Sequence, residues 1–366
     1  MGVILTMSVA DASTGSWDPA PARRRRPAVN RREFVIAAAS LAAAPRAFAE
    51  TLAQAPLGLV TADRESQLVA VDLADGRVRR YVRTVSSPRS IETVGETAVV
   101  AHSEIGAVSL VDVRTLRVVR VLRGFEEPRY TAGHPDGRHA YVTDAARGEV
   151  VVLDVSHGRV LGRARVGPRA RHITITPGGR TLWIALGSKA RELAIVDVSD
   201  RTRPRLVRRF RPELLAHDVG AAPDGRHVWV SSGDRDALLV YDAWTGRAVA
   251  RPSGDWPPQH VTFARGRAYV TSGWSGTLRV HRIDGTPLGT TVVAVGSYNV
   301  QQAGGWVLTA SLGHGDLSIL DDRGRMLRRE KVARSSHDAC IVRPAGAASS
   351  RRPGPTSAGR ARGRAR

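Results

Sequence analysis

The chain has 366 residues and a formal net charge of +21, because 55 Lys and Arg stand against 34 Asp and Glu. Cys340 is the single cysteine, so an intrachain disulfide is excluded. The sequence contains no nucleophile elbow, paired-cysteine zinc pattern, phosphate loop or haem-attachment motif, which excludes the classes that those motifs define.

Residues 1–49 have the pattern of a twin-arginine export signal. Residues 30–35 (NRREFV) carry the arginine pair, residues 36–44 are apolar, and residues 47–49 (AFA) form a small-x-small cleavage site. The apolar run is too short to span a bilayer, and no other run is longer, so we expect no transmembrane segment. The sequence therefore predicts export to the periplasm, the cell surface or the medium. An ordinary secretory signal with a basic start is the alternative.

A repeat of about 40 residues organises the rest of the chain. Seven hydrophobic runs, most of which end on an aspartate, precede a turn. They end at Val71-Asp72, Val111-Asp112, Leu153-Asp154, Val196-Asp197, Tyr241-Asp242, His281-Arg282 and Leu320-Asp321. A period of roughly 40–45 residues with four strands per unit is typical of a β-propeller. We expect the aspartates to cap the turns that follow them.

A second motif recurs about 13 residues earlier in five units. Residues 140–143 and 268–271 both have the sequence AYVT, and residues 182–185, 228–231 and 306–309 have LWIA, VWVS and WVLT. These segments resemble the YVTN-type β-propeller repeat family over residues 57–343. The resemblance implies an all-β, seven-bladed β-propeller. It does not imply one function, because a fold of this kind hosts many.

The two ends of the repeat region predict how the ring closes. Residues 57–60 form a second strand with no first strand before it, and residues 336–342 form a first strand with nothing after it. Pairing them completes the seventh blade and protects both sheet edges. We therefore expect the propeller to span residues 50–344, as a monomer. Residues 345–366 form an arginine-rich tail, expected to be disordered.

Histidines concentrate where the innermost strands begin, at one mouth of the central channel. Four lie at or beside those starts and two lie in loops between second and third strands, on the same face. The predicted metal ligands are His172, His217, His260, His337, His102 and His314. Several imidazoles with few carboxylates suit copper or zinc. The alternative is that the repeat favours histidine there for packing or capping.

Arginines and an asparagine share the same mouth. The predicted ligand-binding residues are Arg129, Arg169, Arg171 and Asn299, with Arg89 nearby. Guanidinium groups beside a pocket suit a small anionic ligand with a carboxylate or phosphate group. Asp218 and Asp338 each follow a mouth histidine. Neighbours in a strand point to opposite faces, so one member of each pair is expected to orient a partner.

Three function classes remain open. The favoured one is an exported binding propeller with a His-rich metal or ligand site at the channel mouth. The first alternative is a hydrolase similar to seven-bladed lactonases and cyclases, which the chain resembles in fold and in residues 168–172 (PRARH). The sequence offers no clear catalytic acid, because the positions of Glu92 and Glu104 relative to the mouth are only loosely defined. This favours binding over catalysis. The second alternative is a scaffold for an unknown protein partner. The sequence lacks the interleaved aromatic and basic residues of a nucleic-acid-binding platform, so we expect no specific binding of nucleic acid.

Overall fold

Residues 56–342, the part of the chain that this computed structural model describes, form seven four-stranded antiparallel sheets arranged in a ring. Within these residues there is no α-helix, only two short 3-10 turns at Asp63–Glu65 and Ser103–Ile105. The seven-bladed β-propeller expected from the repeat is confirmed. No helix among the described residues has the length and apolar character needed to cross a membrane.

Each blade contributes one strand to each of four concentric positions. The innermost strands are β4 (Ser90–Val94), β8 (Pro128–Gly133), β12 (Ile173–Ile175), β16 (Ala216–Ala221), β20 (Val261–Ala264), β24 (Gln301–Ala303) and β28 (Ala339–Val342). The second strands are β1 (Leu57–Ala62), β5 (Thr97–His102), β9 (His139–Asp144), β13 (Thr181–Ala185), β17 (His227–Ser232), β21 (Arg267–Ser272) and β25 (Trp306–Ala310).

The outer half of each blade is equally regular. The third strands are β2 (Gln67–Asp72), β6 (Ala107–Asp112), β10 (Glu149–Asp154), β14 (Leu193–Asp197), β18 (Leu238–Asp242), β22 (Thr277–Arg282) and β26 (Asp316–Asp321). The outermost strands are β3 (Val78–Arg83), β7 (Arg117–Leu122), β11 (Arg159–Arg165), β15 (Arg205–Phe210), β19 (Ala248–Ala250), β23 (Pro287–Val292) and β27 (Met326–Lys331).

The second and third strands form the core because both of their faces pack against neighbouring blades. Strand β1 is buried throughout, and β10 is buried at every residue except its first. Continuous apolar runs are what such two-sided burial requires. Trp183 and Trp229 are fully buried in second strands, and the Trp183 ring lies 6.1 Å from that of Tyr241 in the next blade. The outer strands are largely exposed.

The ends of the described chain close the ring. Strand β28 pairs antiparallel with β1, with Leu57 opposite Val342 and Val60 opposite Ala339. This confirms the predicted closure, although the strand begins at Ala339 rather than at residue 336. Residues 336–338 lie before this strand, where the carbonyl of Asp338 accepts the N–H of Thr61 at 2.9 Å. The buried thiol of Cys340 lies in this closing strand, opposite Leu59.

The aspartates at the ends of the third strands cap turns, as predicted. Oδ1 of Asp72 accepts the backbone N–H of Ala74 at 2.8 Å. Oδ1 of Asp242 accepts the N–H groups of Trp244 and Thr245 at 3.0 and 2.9 Å. These carboxylates satisfy turn N–H groups that would otherwise lack a partner, so they hold this turn in six of the seven blades, whereas Arg282 has the equivalent position in the other.

Candidate metal centre

Three histidines from three consecutive blades meet at the channel mouth. His172 directly precedes β12, His217 is the second residue of β16, and His260 directly precedes β20. One ring nitrogen of each lies within 4.8 Å of those of the other two. His172 is 1 % exposed and His260 is 9 % exposed, whereas His217 is half-buried. We call these three residues the histidine trio.

Hydroxyl groups of the repeat hold the backbone beside two of these histidines. Thr143, the threonine of an AYVT segment, donates to the carbonyl of Arg171 at 2.6 Å, one residue before His172. Ser231, in the equivalent position of VWVS, donates to the carbonyl of Gln259, one residue before His260. The hydroxyl of a second strand therefore fixes the start of the next blade's innermost strand, which positions the side chain that follows.

Each histidine of the trio keeps at least one ring nitrogen without a hydrogen-bond partner among the described residues. Nδ1 of His217 lies 2.9 Å from the carbonyl oxygen of Ser188, so Nδ1 carries the hydrogen and Nε2 keeps a lone pair. Nδ1 of His260 lies 3.4 Å from a carboxyl oxygen of Asp218, and its Nε2 has no partner among the described residues. Neither ring nitrogen of His172 has one there either.

The environment keeps all three imidazoles neutral near pH 7. Burial lowers the pKa of His217 to about 4 and places the pKa of both His172 and His260 well below the usual value. The charge of Arg171 acts in the same direction on all three. Neutral imidazole is the form that ligates a metal. The trio therefore presents lone pairs, not positive charges, to the mouth.

The distances suit one ion after a small adjustment. Two nitrogens bound at about 2.0–2.1 Å to a tetrahedral zinc ion are roughly 3.4 Å apart. Movement of about 1 Å by the side chains brings nitrogens that lie within 4.8 Å onto such an ion. A three-histidine group of this kind is able to bind a metal ion, and the described residues contain no second group of three ligands.

A tyrosine and a cavity complete the surroundings of the trio. The Tyr130 ring lies 4.2 Å from that of His172 and 5.4 Å from that of His260, centroid to centroid. A cavity of about 240 Å³ extends down the channel and is lined by both histidines, Tyr130, Asp218 and Glu92, among others. An ion held by the trio would therefore face open space on one side.

The fourth predicted histidine of the innermost strands lies at the edge of this cluster. The His337 ring is 6.3 Å from that of Tyr130. Its Nδ1 lies 3.1 Å from the side-chain nitrogen of Asn299, which also donates to the carbonyl of His337 at 2.8 Å. Asn299 thus occupies Nδ1 of His337, so the structure pairs these two predicted residues with each other and not with the trio.

The two predicted loop histidines lie apart from the trio. His102 is fully buried, and its ring nitrogens lie 2.9 Å from the carbonyl of Ser86 and 2.9 Å from the hydroxyl of Ser109. Both nitrogens are therefore occupied within its own blade, which leaves no lone pair for a metal. His314 is exposed and contributes its backbone carbonyl to a contact with Lys331. The structure brings neither side chain to the mouth cluster.

The predicted arginines divide into two kinds. Arg129 is 9 % exposed, and its Nη1 lies 3.0 Å from a carboxyl oxygen of Glu127. The guanidinium carbon of Arg171 lies 6.0 Å from the centre of the Tyr130 ring, within cation–π range. Arg169 is exposed on the preceding loop with a φ of 57°. Arg129 and Arg171 therefore line the mouth, whereas Arg169 faces solvent.

The sequence predicts an orienting role for one member of the pair His217 and Asp218, but it assigns no role to Tyr130. The carboxyl of Asp218 approaches His260 of the next blade. Tyr130 packs on two of the histidines. The available signal is register, because Asp218 and Tyr130 are each the third residue of an innermost strand.

These observations define the class of the molecule: a seven-bladed β-propeller with a histidine cluster in the mouth of its channel. No protein-family model and no curated protein sequence matches the chain.

Solved structures that are similar share the fold at low sequence identity. Hydrazine synthase of Kuenenia stuttgartiensis is 17 % identical, with a TM-score of 0.59 over 70 % of this chain and 90 % of that one. A functionally unknown protein of Desulfotomaculum acetoxidans is 12 % identical, with a TM-score of 0.69 over 79 % and 99 %. A putative 6-phosphogluconolactonase of Bacteroides fragilis is 13 % identical, with a TM-score of 0.63 over 79 % and 98 %.

Proposed function

We propose that this chain is an exported metal-binding β-propeller, whose histidine trio holds one copper or zinc ion at the channel mouth. One observation carries the proposal: three neutral imidazoles from consecutive blades converge within 4.8 Å, each with a ring nitrogen that no described residue occupies. Imidazole donors without thiolate or carboxylate ligands suit copper and zinc.

Each residue of the site has a distinct part in this proposal. His217 binds through Nε2, because its Nδ1 lies 2.9 Å from the carbonyl oxygen of Ser188, and His260 binds through Nε2, which no described residue occupies. A hydrogen bond such as that of His217 fixes the tautomer and the orientation of a ligating imidazole. His172 supplies the third nitrogen. Three protein ligands leave at least one coordination position for water or another ligand on the cavity side.

Export is part of the proposal and depends on the sequence alone. The twin-arginine pattern and the AFA cleavage site lie in residues 1–49, outside the described residues, as does the arginine-rich segment 345–366. The periplasm, the cell surface and the medium all fit such a signal. The likeness to the YVTN-type repeat family is supported by AYVT at 140–143 and 268–271, which occupy second strands.

Elemental analysis tests the metal site directly. Mature protein, residues 50–366, is purified without a histidine tag, loaded with copper or zinc and desalted. We expect about one ion per chain, lost in the His172→Ala/His260→Ala double variant. His314→Ala is the matched control, because it removes an exposed histidine and should retain the ion. A metal-free protein after reconstitution would refute the proposal.

A second candidate is metal-assisted hydrolysis at the same mouth. It is favoured by the open side of the trio toward the cavity, since catalytic zinc sites keep a position for water. The fold shared with the putative 6-phosphogluconolactonase makes lactones the first substrates to test. Lactone turnover that requires the ion and disappears in His172→Ala would establish this activity. Absence of turnover by the loaded protein across a lactone panel would leave metal binding alone.

A further inference from the structure

Three arginines stand in equivalent positions of three consecutive blades. Arg89, Arg129 and Arg171 each directly precede the residue that begins the channel-facing part of an innermost strand, and the spacings are 40 and 42 residues. The other four blades have Ala216, Gln259, Tyr298 and Ser336 in this position. The guanidinium groups therefore occupy one side of the mouth only. We call these three residues the arginine arc.

The backbone of the arc is anchored by hydroxyl groups at two of its three positions. The carbonyl of Arg171 accepts from Thr143 at 2.6 Å, and that of Arg129 accepts from Ser90. Both hydroxyl groups belong to strands of the preceding blade. Sites held on rigid elements keep their donors in place before a ligand arrives.

The three charges act on the same small region. The guanidinium carbon of Arg171 lies 6.0 Å from the centre of the Tyr130 ring, and that ring lies 6.3 Å from the His337 ring. The charges of all three arginines act on His337 and on Tyr130. Burial, together with repulsion from Arg171 and Arg89, lowers the pKa of Arg129 to about 10. The arc is therefore a region of crowded positive charge beside the histidine trio.

The arc lacks enough negative charge among the described residues. Glu127 is the one carboxylate bonded to it, through Arg129, and the Nε atoms of Arg89 and Arg171 are buried without a hydrogen-bond partner there. Three guanidinium groups and one carboxylate give the arc, together with Glu127, a net charge of +2. A buried donor without a partner carries a substantial free-energy cost. An anion that accepts from these Nε–H groups removes that cost.

We propose that the arginine arc binds a small dianionic oxyanion, of which phosphate and a dicarboxylate are the simplest examples. Guanidinium groups bind both through paired N–H···O bonds. The Nε–H groups of Arg89 and Arg171 supply donors, and Arg129 supplies charge from between them. Binding by the arc does not require the metal. One extension does rest on the proposed function, namely that the bound anion also acts as a ligand to the metal ion of the histidine trio.

Calorimetric titration of metal-free mature protein with inorganic phosphate, and separately with oxalate, tests this inference. We expect saturable binding of at least one of them, weakened at least tenfold in Arg171→Met. Arg169→Met is the matched control, because this exposed arginine lies two residues away and should leave the affinity unchanged. Acetate, a monoanion, should bind more weakly than oxalate. Far-UV circular dichroism of each variant verifies that the fold is retained.

The outcomes separate the arc from the metal site. Anion binding that persists in the His172→Ala/His260→Ala variant supports the arc even if no ion is ever found. Metal binding by a protein that takes up neither anion without metal would overturn the arc and leave the trio intact. Equal affinity of Arg171→Met and the unchanged protein would overturn the arc as well.

Discussion

The carboxyl group of Asp218 lies 3.4 Å from Nδ1 of His260, although the two residues belong to neighbouring blades. The same carboxyl accepts the backbone N–H of Val261 at 3.0 Å. Asp218 therefore ties the start of one innermost strand to the next and also lies beside a member of the trio. Its chain neighbour His217 points into the cluster itself. Two adjacent residues thus contribute to one site from different sides.

The contact between Asp218 and His260 predicts a role in metal affinity. Asp218→Asn keeps the size of the side chain but removes the carboxyl group that faces Nδ1 of His260. We expect metal affinity to fall roughly 10–100-fold, as is common when such an orienting partner is lost. Competition with a chelating dye measures the change.

The control for this variant is Asp338→Asn. Asp338 accepts the N–H of Ile91 at 3.1 Å in the same way, but it lies in a blade that contributes no member of the trio. Equal losses of affinity in both variants would show that the hydrogen bond to the backbone of the next blade, and not the orientation of His260, is responsible.

We expect the hydroxyl of Thr143 to contribute both to the stability of the fold and to the metal affinity of the site. In Thr143→Val a buried hydrogen bond to the carbonyl of Arg171 disappears, which costs about 1 kcal/mol of unfolding free energy. Because His172 follows that carbonyl, metal affinity should fall as well. Thr61→Val removes an equivalent hydroxyl that bonds the carbonyl of Asp338 at 3.0 Å. It should lose similar stability in urea unfolding but keep its metal affinity. Identical affinities in the two variants would contradict the positioning role.

Glu92 predicts a pH dependence of stability with a definite sign. Burial raises the pKa of this carboxyl to about 7, while the side chain of Gln301 donates to it at 2.9 Å. Between about pH 4.5 and pH 7 the folded protein keeps a proton that the unfolded chain has released. The contribution of Glu92 to stability is therefore present at low pH and is lost as the pH rises through 7.

Glu92→Gln removes this titration. Relative to the unchanged protein, the variant should gain roughly 1–3 kcal/mol of unfolding free energy between pH 5 and pH 8. Urea unfolding at both pH values measures the difference, and comparison at each pH cancels the contributions of the other acids. Parallel pH profiles for the two proteins would show that Glu92 is not held in its neutral form.

The closing strand predicts a sharp boundary for truncation. A chain that ends at residue 338 lacks β28, so β1 keeps its pairing with β2 but loses its partner on the channel side, and the core residues beneath it are exposed. We expect this chain to lose its cooperative thermal transition. A chain that ends at residue 344 keeps β28 and should melt like the full-length mature protein. Similar melting curves for both truncations would contradict closure by β28.

The repeat allowed most of the fold to be predicted. The residues that end the third strands, aspartate in six blades and Arg282 in the other, recur at 39–45 residues because every blade needs a turn there. The unpaired segments 57–60 and 336–342 predicted the closure that Leu57 and Val342 make. Local patterns determine these features, since each blade buries the same strands in the same order. The closing strand begins at Ala339, three residues later than the pattern predicts.

The choice among the mouth histidines was decided only by the tertiary structure. His172, His217, His260 and His337 have equivalent positions along the chain, yet three share one centre and the fourth pairs with Asn299. His102 was expected on the same face, but Ser86 and Ser109 occupy both of its nitrogens. The period of the repeat predicts how far along the channel axis each residue lies. Which side chains meet depends on rotamers and partners from other blades, about 40 residues away, and these are fixed only when the ring closes.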